Sequence, residues 1–314
     1  MEDKFKRNIN YLRLSVTDRC NLRCLYCMPE SGITKFCHSD VLSVEEMVEI
    51  VSAAAESGIT KVRLTGGEPL VHKGITDICR GVSSIPGIKE LCLTTNGVML
   101  PIFAQELKAA GVDRLNISID TLKGDKYRTI TRNGDIATVF KGIEAAEKAG
   151  FKNIKLNTVL IGGMNDDEIS DFVNLTLYKP WEVRFIELMP MGECINWPDK
   201  RFMPVEEVLK HCPELKPVDI SGVARRYRID GAKGTVGIIS PVSHSFCSEC
   251  NRIRVTSEGR LKPCLHSGDE IKLKGLHGDE LLNAVRLGIG LKPREHSLLS
   301  DKSLSDRNMN QIGG

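Results

Sequence analysis

Short apolar segments alternate with helical segments along the first two thirds of the chain, and this alternation restricts the fold more than any other feature. The apolar segments are rich in leucine and β-branched residues and predict strands, whereas the segments between them have the apolar spacing of helices. Strands that alternate with helices predict a parallel sheet, either doubly wound or in a barrel. The predicted strands are residues 11–16, 61–65, 90–94, 114–119, 154–160 and 183–188.

The helical segments begin and end at recognisable residues. Ser43 is followed three residues later by Glu46, which is the pattern of a capping box. Gly111 and Gly150 follow the ends of two other helical segments, where glycine commonly ends a helix. We expect helices over residues 43–57, 74–84, 101–110, 135–149 and 165–178.

Six strand–helix units are fewer than the eight of a closed barrel. We therefore expect an α/β fold with an incomplete (β/α)6 barrel of the TIM type, formed by residues 1–202. The pattern then changes, and residues 203–314 are expected to form a small C-terminal region that closes the open side. In that region we predict an antiparallel element over 225–230 and 235–240, a helix over 279–287, and a mobile polar tail.

Composition excludes several classes of protein. The chain has 314 residues, a net charge of +2, 41% hydrophobic and 27% charged residues, which is ordinary for a soluble globular protein. Such a balanced charge does not indicate binding to nucleic acid or to a membrane surface. No apolar run approaches the length of a membrane helix, and the N-terminus has no apolar signal segment, so we expect a cytosolic protein.

Eleven cysteines are many for such a protein, and disulfides are rare in the cytosol. Clustered cysteines there indicate metal or redox chemistry. Two groups of three lie near the two ends of the chain, and we interpret the other five as small buried apolar side chains. These five are Cys37, Cys79, Cys92, Cys194 and Cys212.

The first group, Cys20, Cys24 and Cys27, lies in the loop that follows the first predicted strand. Thiolates favour zinc, copper(I) or iron–sulfur clusters. From spacing alone we weigh an iron–sulfur cluster, a zinc site with Cys37 or His38 as fourth ligand, and plain core cysteines. Three protein ligands on a four-iron cube would leave one iron open to a further ligand.

The second group is Cys247, Cys250 and Cys264. Its spacing also allows a zinc ribbon with His244 or His266 as the fourth ligand. The ribbon usually has a second cysteine pair, and here that pair is incomplete.

Cationic residues accompany the second group and the predicted strands. Arg252 and Arg254 are two apart, so on a strand they share a face and could clamp a polyphosphate; a solvated basic face is the alternative. Arg13, Arg63 and Lys155 lie in predicted parallel strands, whose interiors are mostly apolar, so each needs a partner. An anionic ligand inside the barrel would supply one.

Polar segments follow the predicted strands at their carboxyl ends, where parallel sheets gather functional residues. Residues 65–69 contain Gly66 and Gly67, which either admit a ligand to the backbone or form a simple turn. Residues 94–97 and 118–120 follow the next two strands.

The first cysteine group, with Tyr26 before its last member, resembles the radical S-adenosylmethionine superfamily. This resemblance implies a [4Fe-4S] cluster whose open iron binds the amino and carboxylate groups of the cofactor's methionine. It further implies that Gly67 contacts the methionine ammonium, that Tyr26 contacts the adenine, and that Ser118 and Met189 also touch the cofactor.

Over nearly its whole length the chain resembles the GTP 3′,8-cyclases of molybdenum-cofactor biosynthesis. The second cysteine group with its arginines is the most specific part, because many radical enzymes share only the first group. Glu258 stands where that family more often has aspartate, and the tail before the terminal glycines is too polar to align. The resemblance rests on residues 17–24, 65–69, 94–97, 250–252 and 313–314.

The family resemblance implies a reaction, cofactors and partners. S-adenosylmethionine cleaved at the first cluster yields a 5′-deoxyadenosyl radical, which removes hydrogen from C3′ of GTP, and the C3′ radical then attacks C8. The product is (8S)-3′,8-cyclo-7,8-dihydroguanosine 5′-triphosphate, and a second [4Fe-4S] cluster holds the guanine. An electron donor of unknown identity, a downstream cyclic pyranopterin monophosphate synthase and a homodimer are the implied partners.

The implied roles fall on named residues. The resemblance gives catalytic roles to Arg252, Arg254, Gly313 and Gly314. Substrate contacts are expected from Arg13, Arg63, Thr94, Lys155, Arg252, Ile253 and Arg254. Two alternatives remain: a different radical enzyme with an auxiliary cluster, such as one that modifies a peptide, and a zinc-stabilised binding module without catalysis.

Overall fold

The computed structural model describes residues 1–33, 37–296, 298 and 303–313. Twelve strands within these residues form one sheet. The strands are β1 Tyr11–Ser15, β2 Lys61–Thr65, β3 Glu90–Thr95, β4 Arg114–Ser118, β5 Lys155–Leu160, β6 Glu182–Glu187, β7 Lys216–Ser221, β8 Ala224–Arg228, β9 Thr235–Ile239, β10 Arg252–Val255, β11 Arg260–Lys262 and β12 Ile271–Lys272.

The helices cover the outer face of the sheet between these strands. Ser43 caps the first helix with the predicted capping box, in which its side chain and that of Glu46 each accept from the other's backbone. The short helix after β4 was not predicted, because Tyr127 and Ile130 are the large apolar side chains among its eight residues and do not form a recognisable apolar stripe. The helices are α1 Val44–Glu56, α2 Ile75–Ser83, α3 Leu100–Ala109, α4 Gly124–Thr131, α5 Ile136–Lys148, α6 Ile169–Tyr178, α7 Glu207–His211 and α8 Gly278–Gly290.

Strands β1 to β6 lie side by side in chain order and are parallel, so the six predicted parallel strands are confirmed. The C-terminal region extends both edges, because β10 pairs in parallel with β1 and β9 pairs in parallel with β6. In the described residues β9 and β10 do not pair, so the sheet stays open, as expected for an incomplete barrel. The division at residue 202 remains a prediction, and the sheet runs through both regions.

The two faces of the sheet differ in polarity. One face carries side chains such as Leu12, Leu64 and Phe185, which pack in the core against the helices. The residues that alternate with them point to the other face, the interior of the partial barrel. This interior face carries Arg13 and Arg63, which explains why charged residues interrupt the apolar strands.

The C-terminal region contains two differences from expectation. The predicted antiparallel element exists as β8 and β9, but β7 adds a further strand to it. The tail was expected to be mobile, yet in its described part, residues 303–313, the side chains of Asn310 and Ile312 are only 1% exposed. The reason is a set of polar contacts with the rest of the molecule, which composition alone cannot reveal.

Four of the five scattered cysteines are buried as predicted, whereas Cys37 is exposed, so that interpretation was wrong for Cys37. No helix in the described part of the chain has the length and apolar character that a membrane crossing requires.

Candidate functional site

The first cysteine group follows β1 in a loop that folds back on itself. The backbone N–H groups of Cys27 and Met28 donate to the Cys24 carbonyl at 3.0 Å and 3.1 Å, which forms a turn that brings Cys24 and Cys27 near each other. Burial raises the pKa of Cys20 to about 11, and burial together with Cys20 raises the pKa of Cys27 to about 12. Burial and the neighbouring Cys27 raise the pKa of Cys24 well above its usual range. Cys20 therefore opposes ionisation of both Cys24 and Cys27, and a bound cationic cluster would reverse this.

The glycine turn after β2 supports this loop. Gly67 N–H donates to the Thr17 carbonyl at 2.7 Å, and Glu68 N–H donates to the Arg19 carbonyl at 2.8 Å. A Cβ atom added at Gly67 would lie 2.4 Å from the Arg19 carbonyl oxygen. The missing side chain thus admits the chain's own cysteine loop, and the methionine contact expected of Gly67 stays a prediction.

Glu68 joins the ends of β2 and β3 behind the cysteine loop. Its carboxylate accepts from the Thr95 hydroxyl at 2.7 Å, from Asn96 N–H at 2.6 Å and from Leu70 N–H at 3.0 Å. Burial raises the pKa of Glu68 to about 7, although these three donors favour the charged form. The Asn96 amide in turn reaches Cys20 Sγ at 3.9 Å, so Glu68 orients a neighbour of the thiols.

Tyr26 is held by Asp120, a residue at the end of β4 to which no role was assigned. The phenol donates to Asp120 Oδ2 at 2.7 Å, and Val159 N–H donates to Asp120 Oδ1 at 2.9 Å. Burial raises the pKa of Asp120 to about 6, although both donors favour its charged form. The Cys194 thiol donates to the Tyr26 carbonyl at 3.5 Å and completes the support of this ring.

The second cysteine group lies just before β10 and beyond β11. Burial raises the pKa of Cys250, but Arg252 and Lys292 outweigh it and lower the pKa to about 7. Lys292 is 2% exposed, and its ammonium also donates to the carbonyls of Arg252 at 2.8 Å and Pro263 at 3.1 Å. The Lys292 ammonium therefore links the backbone that follows Cys250 to the backbone that precedes Cys264.

The N-terminal segment fastens the same region from the other side. The Arg7 guanidinium donates to the carbonyls of Cys247 at 2.8 Å, Arg294 at 3.0 Å and Pro293 at 2.7 Å. Asp3 accepts from Arg7 Nε at 2.6 Å and balances its charge. Sequence reasoning missed Arg7, because nothing in the sequence relates it to a cysteine 240 residues away.

For the second cysteine group, the two histidines considered as a fourth zinc ligand each lie against another residue. His244 lies 3.2 Å from Glu206, and the His266 ring packs against His296 with ring centroids 5.1 Å apart. In the described residues, no three His, Cys, Asp or Glu side chains are gathered around a point that could hold a single metal ion. A four-iron cube binds each thiolate at its own iron and does not require such a point.

A row of arginines crosses the interior face between the two cysteine groups. Arg254 on β10, Arg13 on β1 and Arg63 on β2 are register partners on three neighbouring strands. Neighbouring strands are about 4.8 Å apart, so the three cations lie close together. Arg252 lies two residues from Arg254 on the same face, and its guanidinium stacks on the Phe246 ring.

This crowding changes the electrostatics of the row. Burial, together with Arg252 and Arg63, lowers the pKa of Arg13 to about 10. Tyr11 lies among the cations and accepts from Arg63 Nε. Burial raises the pKa of Tyr11, but Arg63 and Arg13 outweigh it and lower the pKa to about 7. Tyr11 was missed, although its spacing of two from Arg13 places both on one face.

Other predicted residues have partners of their own. The Lys155 ammonium lies 2.6 Å from Glu182, so an anionic ligand is not needed to explain its burial. Thr94 accepts from Arg63 Nη1 at 3.2 Å, which joins it to the arginine row. Ile253 points away from Arg252 and Arg254 into the hydrophobic core, so only its backbone faces the interior.

Ser118 ends β4 on the interior face, in register with Asn157. Met189 follows β6 and is half-buried. Both therefore lie at the carboxyl edge of the sheet, on the side of the first cysteine group.

The end of the tail lies beside the arginine row and the first cysteine loop. Arg254 Nη1 donates to the carbonyls of Ile312 at 3.1 Å and Gly313 at 3.3 Å. A Cβ atom added at Gly313 would lie 2.3 Å from Thr65 Oγ1, and its φ of +76° also favours glycine. Gly314 lies outside the described residues.

Several buried polar atoms inside the partial barrel are left without a hydrogen-bond partner among the described residues. They include Arg252 Nε, Asn116 Oδ1 and Asn157 Oδ1. An unsatisfied buried polar group is costly, so these atoms, together with the crowded arginines, fit a polar and anionic ligand in the interior.

Comparisons with known families agree along the chain. The radical SAM superfamily matches residues 14–176, and the family named Molybdenum Cofactor Synthesis C matches residues 181–298. Between them these matches include all six clustered cysteines.

Curated relatives match over full length. The GTP 3′,8-cyclase of Alkaliphilus metalliredigens is 52% identical, with 100% of both chains covered. The GTP 3′,8-cyclase of Peptoclostridium acidaminophilum is 51% identical, covering 99% of this chain and 98% of the relative. That of Pelotomaculum thermopropionicum is 47% identical, with 100% of both chains covered.

Solved structures share the fold at low sequence identity. Streptococcus suis SuiB bound to S-adenosylmethionine superposes with a TM-score of 0.62 at 13% identity, covering 89% of this chain and 64% of that chain. The enzyme anSMEcpe with bound AdoMet gives a TM-score of 0.57 at 12% identity, covering 92% and 82%. These likenesses confirm the open barrel.

Proposed function

The chain belongs to the GTP 3′,8-cyclase family within the radical SAM superfamily, and we propose that it converts GTP to (8S)-3′,8-cyclo-7,8-dihydroguanosine 5′-triphosphate. This is an early step of molybdenum-cofactor biosynthesis. The observation that carries the proposal is the row of Arg254, Arg13 and Arg63 inside the barrel, between two groups of three cysteines.

Membership of the superfamily implies a [4Fe-4S] cluster and S-adenosylmethionine. Cys20, Cys24 and Cys27 would hold the cluster, because they lie in one loop, close enough for Cys20 to raise the pKa of the other two thiols. When bound, the cluster and the cofactor together supply the 5′-deoxyadenosyl radical that starts the reaction. Asp120 orients the Tyr26 ring for the adenine, and Gly67, Ser118 and Met189 are proposed as further cofactor contacts.

A second [4Fe-4S] cluster is proposed on Cys247, Cys250 and Cys264. The lowered pKa of Cys250 favours the thiolate that an iron site requires, and Arg7 and Lys292 hold the surrounding backbone in place. This cluster would bind the guanine at its open iron. Reconstituted protein should then contain about eight irons per chain.

The arginine row is proposed to bind the triphosphate. Guanidinium groups form paired, charge-assisted hydrogen bonds with phosphate oxygens, and a triphosphate would relieve the mutual repulsion of the buried cations. Arg252 Nε lacks a partner among the described residues and is available to this ligand. Thr94, Lys155 and the backbone of Ile253 are proposed as further contacts.

Partners follow from the same proposal. An electron donor must reduce the first cluster, and a cyclic pyranopterin monophosphate synthase would consume the product. We propose a cytosolic location and a homodimer. Gly313 and Gly314 are proposed to act at the reacting nucleotide, so deletion of both should leave cluster content unchanged and abolish cyclisation.

The test is anaerobic incubation of reconstituted protein with GTP, S-adenosylmethionine and a reductant, followed by separate measurement of 5′-deoxyadenosine and cyclised nucleotide. The proposal expects both products. Colourless protein with zinc in place of iron would favour a zinc-stabilised binding module. Production of 5′-deoxyadenosine that does not depend on GTP, without nucleotide product, would favour a radical enzyme acting on another substrate.

A further inference from the structure

The tail has an anchor outside the barrel, formed by one arginine and two glutamates. The Arg307 guanidinium forms a bidentate ion pair with Glu258, at 2.7 Å and 2.8 Å, and a second with Glu270, at 2.5 Å and 2.7 Å. All three side chains are mostly buried, with 15–20% of each exposed. Two bidentate pairs fix both the position and the plane of the guanidinium.

The two glutamates belong to the edge of the sheet that carries the second cysteine group. Glu258 lies between β10 and β11, and Glu270 immediately precedes β12. The Lys262 ammonium lies 3.2 Å from Glu270 and also donates to the Ser267 carbonyl at 2.6 Å. Two carboxylates and two cations thus balance one another, and the anchor carries no net charge.

The chain beyond the anchor is fixed step by step. Asn308 to Gln311 form a capped 3₁₀ turn, in which Gln311 N–H donates to the Asn308 carbonyl. The Asn310 amide then donates at 3.0 Å to the carbonyl of Asp18, just before the first cysteine group. Because this turn is rigid, the place where Arg307 is held determines where Gly313 lies. Gly313 fits against Thr65 only without a side chain.

We propose that Arg307 is a positioning residue for the cyclisation, and that its ion pairs with Glu258 and Glu270 set the register in which Gly313 enters the barrel. The inference rests on the proposed function. It goes beyond that function because it assigns a task to the polar tail segment and to both glutamates. Most surface ion pairs contribute little, but this one is bidentate twice over and largely buried.

The test compares Arg307→Ala and Arg307→Lys with Arg80→Ala, an exposed arginine of α2 paired with Asp77. Hydrogen exchange at the Gln311 and Ile312 amides is measured without nucleotide, and cyclised product and 5′-deoxyadenosine are measured separately. In Arg307→Ala we expect faster hydrogen exchange at both amides. We also expect the yield of cyclised product to fall by about tenfold or more, which is the effect of losing one charge-assisted hydrogen bond. Cofactor cleavage and exchange at Gly67 should stay near wild type.

In Arg307→Lys, amide exchange and product yield should lie between those of wild type and Arg307→Ala, because an ammonium lacks the planar guanidinium that pairs with two carboxylates. Arg80→Ala should match wild type in every measurement. Unchanged exchange at Gln311 and Ile312 in Arg307→Ala, or unchanged yield of product per cofactor cleaved, would overturn the inference. Wild-type protein that forms no cyclised nucleotide would overturn the proposed function instead, and the exchange data would still decide whether Arg307 holds the tail.

Discussion

Two arginines on β10 share a face but have different neighbours. Arg254 donates to the tail carbonyls of Ile312 and Gly313, whereas Arg252 stacks on Phe246. A change at Arg254 therefore affects both the proposed phosphate site and the tail. A change at Arg252 removes a charge from the site and leaves those two tail contacts in place.

For this reason Arg252→Ala should weaken GTP binding by about tenfold to a hundredfold, the loss expected for one charge-assisted hydrogen bond. Equilibrium GTP binding under anaerobic conditions measures the effect. Arg128→Ala, at an exposed position on α4, serves as the control and should bind GTP like wild type. Equal affinity in Arg252→Ala and wild type would show that the triphosphate binds elsewhere.

Two glycines without room for a side chain allow a matched comparison. A Cβ atom would lie 2.4 Å from the Arg19 carbonyl at Gly67 and 2.2 Å from the Trp181 carbonyl at Gly234. Both changes to alanine should destabilise the fold by about 1–3 kcal/mol, because backbone must shift in each. Gly67→Ala alone should also lower iron content, since the displaced backbone belongs to the first cysteine loop. Thermal melts and iron analysis of both variants would show this, and equal iron loss would contradict it.

At the scale of elements, the N-terminal segment fastens the second cysteine group through Arg7. Arg7→Ala should reduce iron from about eight towards about four per chain, because the supporting contacts of a metal site contribute about tenfold to a hundredfold to its affinity. Lys4→Ala, at an exposed position of the same segment, is the control. Iron content and the spectrum of the first cluster would be compared between Arg7→Ala, Lys4→Ala and wild type. If Arg7→Ala kept the full iron content, Arg7 would have no role in supporting the second cluster.

The elements also show what a sequence can predict. The six strands and their helices were found because burial on one face leaves a periodic apolar pattern, and the same pattern exposed Arg13 and Arg63 as exceptions. The partner of Lys155 was missed, because Glu182 lies on the next strand and register is not visible in one sequence. Arg307 and Arg7 were missed for a related reason: their partners are distant in the chain, and no local pattern marks them. Asp120 lies in the segment 118–120 that the sequence did indicate, but its contact with Tyr26 was not visible there.

At the scale of the whole molecule, the two predicted regions share one sheet. Without residues 203–314, β1 would lose β10 and β6 would lose β9, and both edges would expose unpaired backbone groups. The helix α8 would also leave its place against α1.

A fragment of residues 1–202 should therefore lack a cooperative thermal transition and should aggregate. Circular dichroism melts and size-exclusion chromatography test this, and coexpression with residues 203–314 is expected to restore a soluble complex. Cooperative unfolding of the fragment alone would instead support two independent domains.

The bond from Asn310 to the Asp18 carbonyl joins residues 292 positions apart, and it has a consequence for biosynthesis. A ribosome makes a chain from its N-terminal side, so the first cysteine loop is synthesised 292 residues ahead of the Asn310 amide that contacts it. The place beside the loop that Asn310 occupies is therefore empty until that residue has been made. Iron and sulfide delivered to the first cysteine loop at that stage would not have to displace the tail.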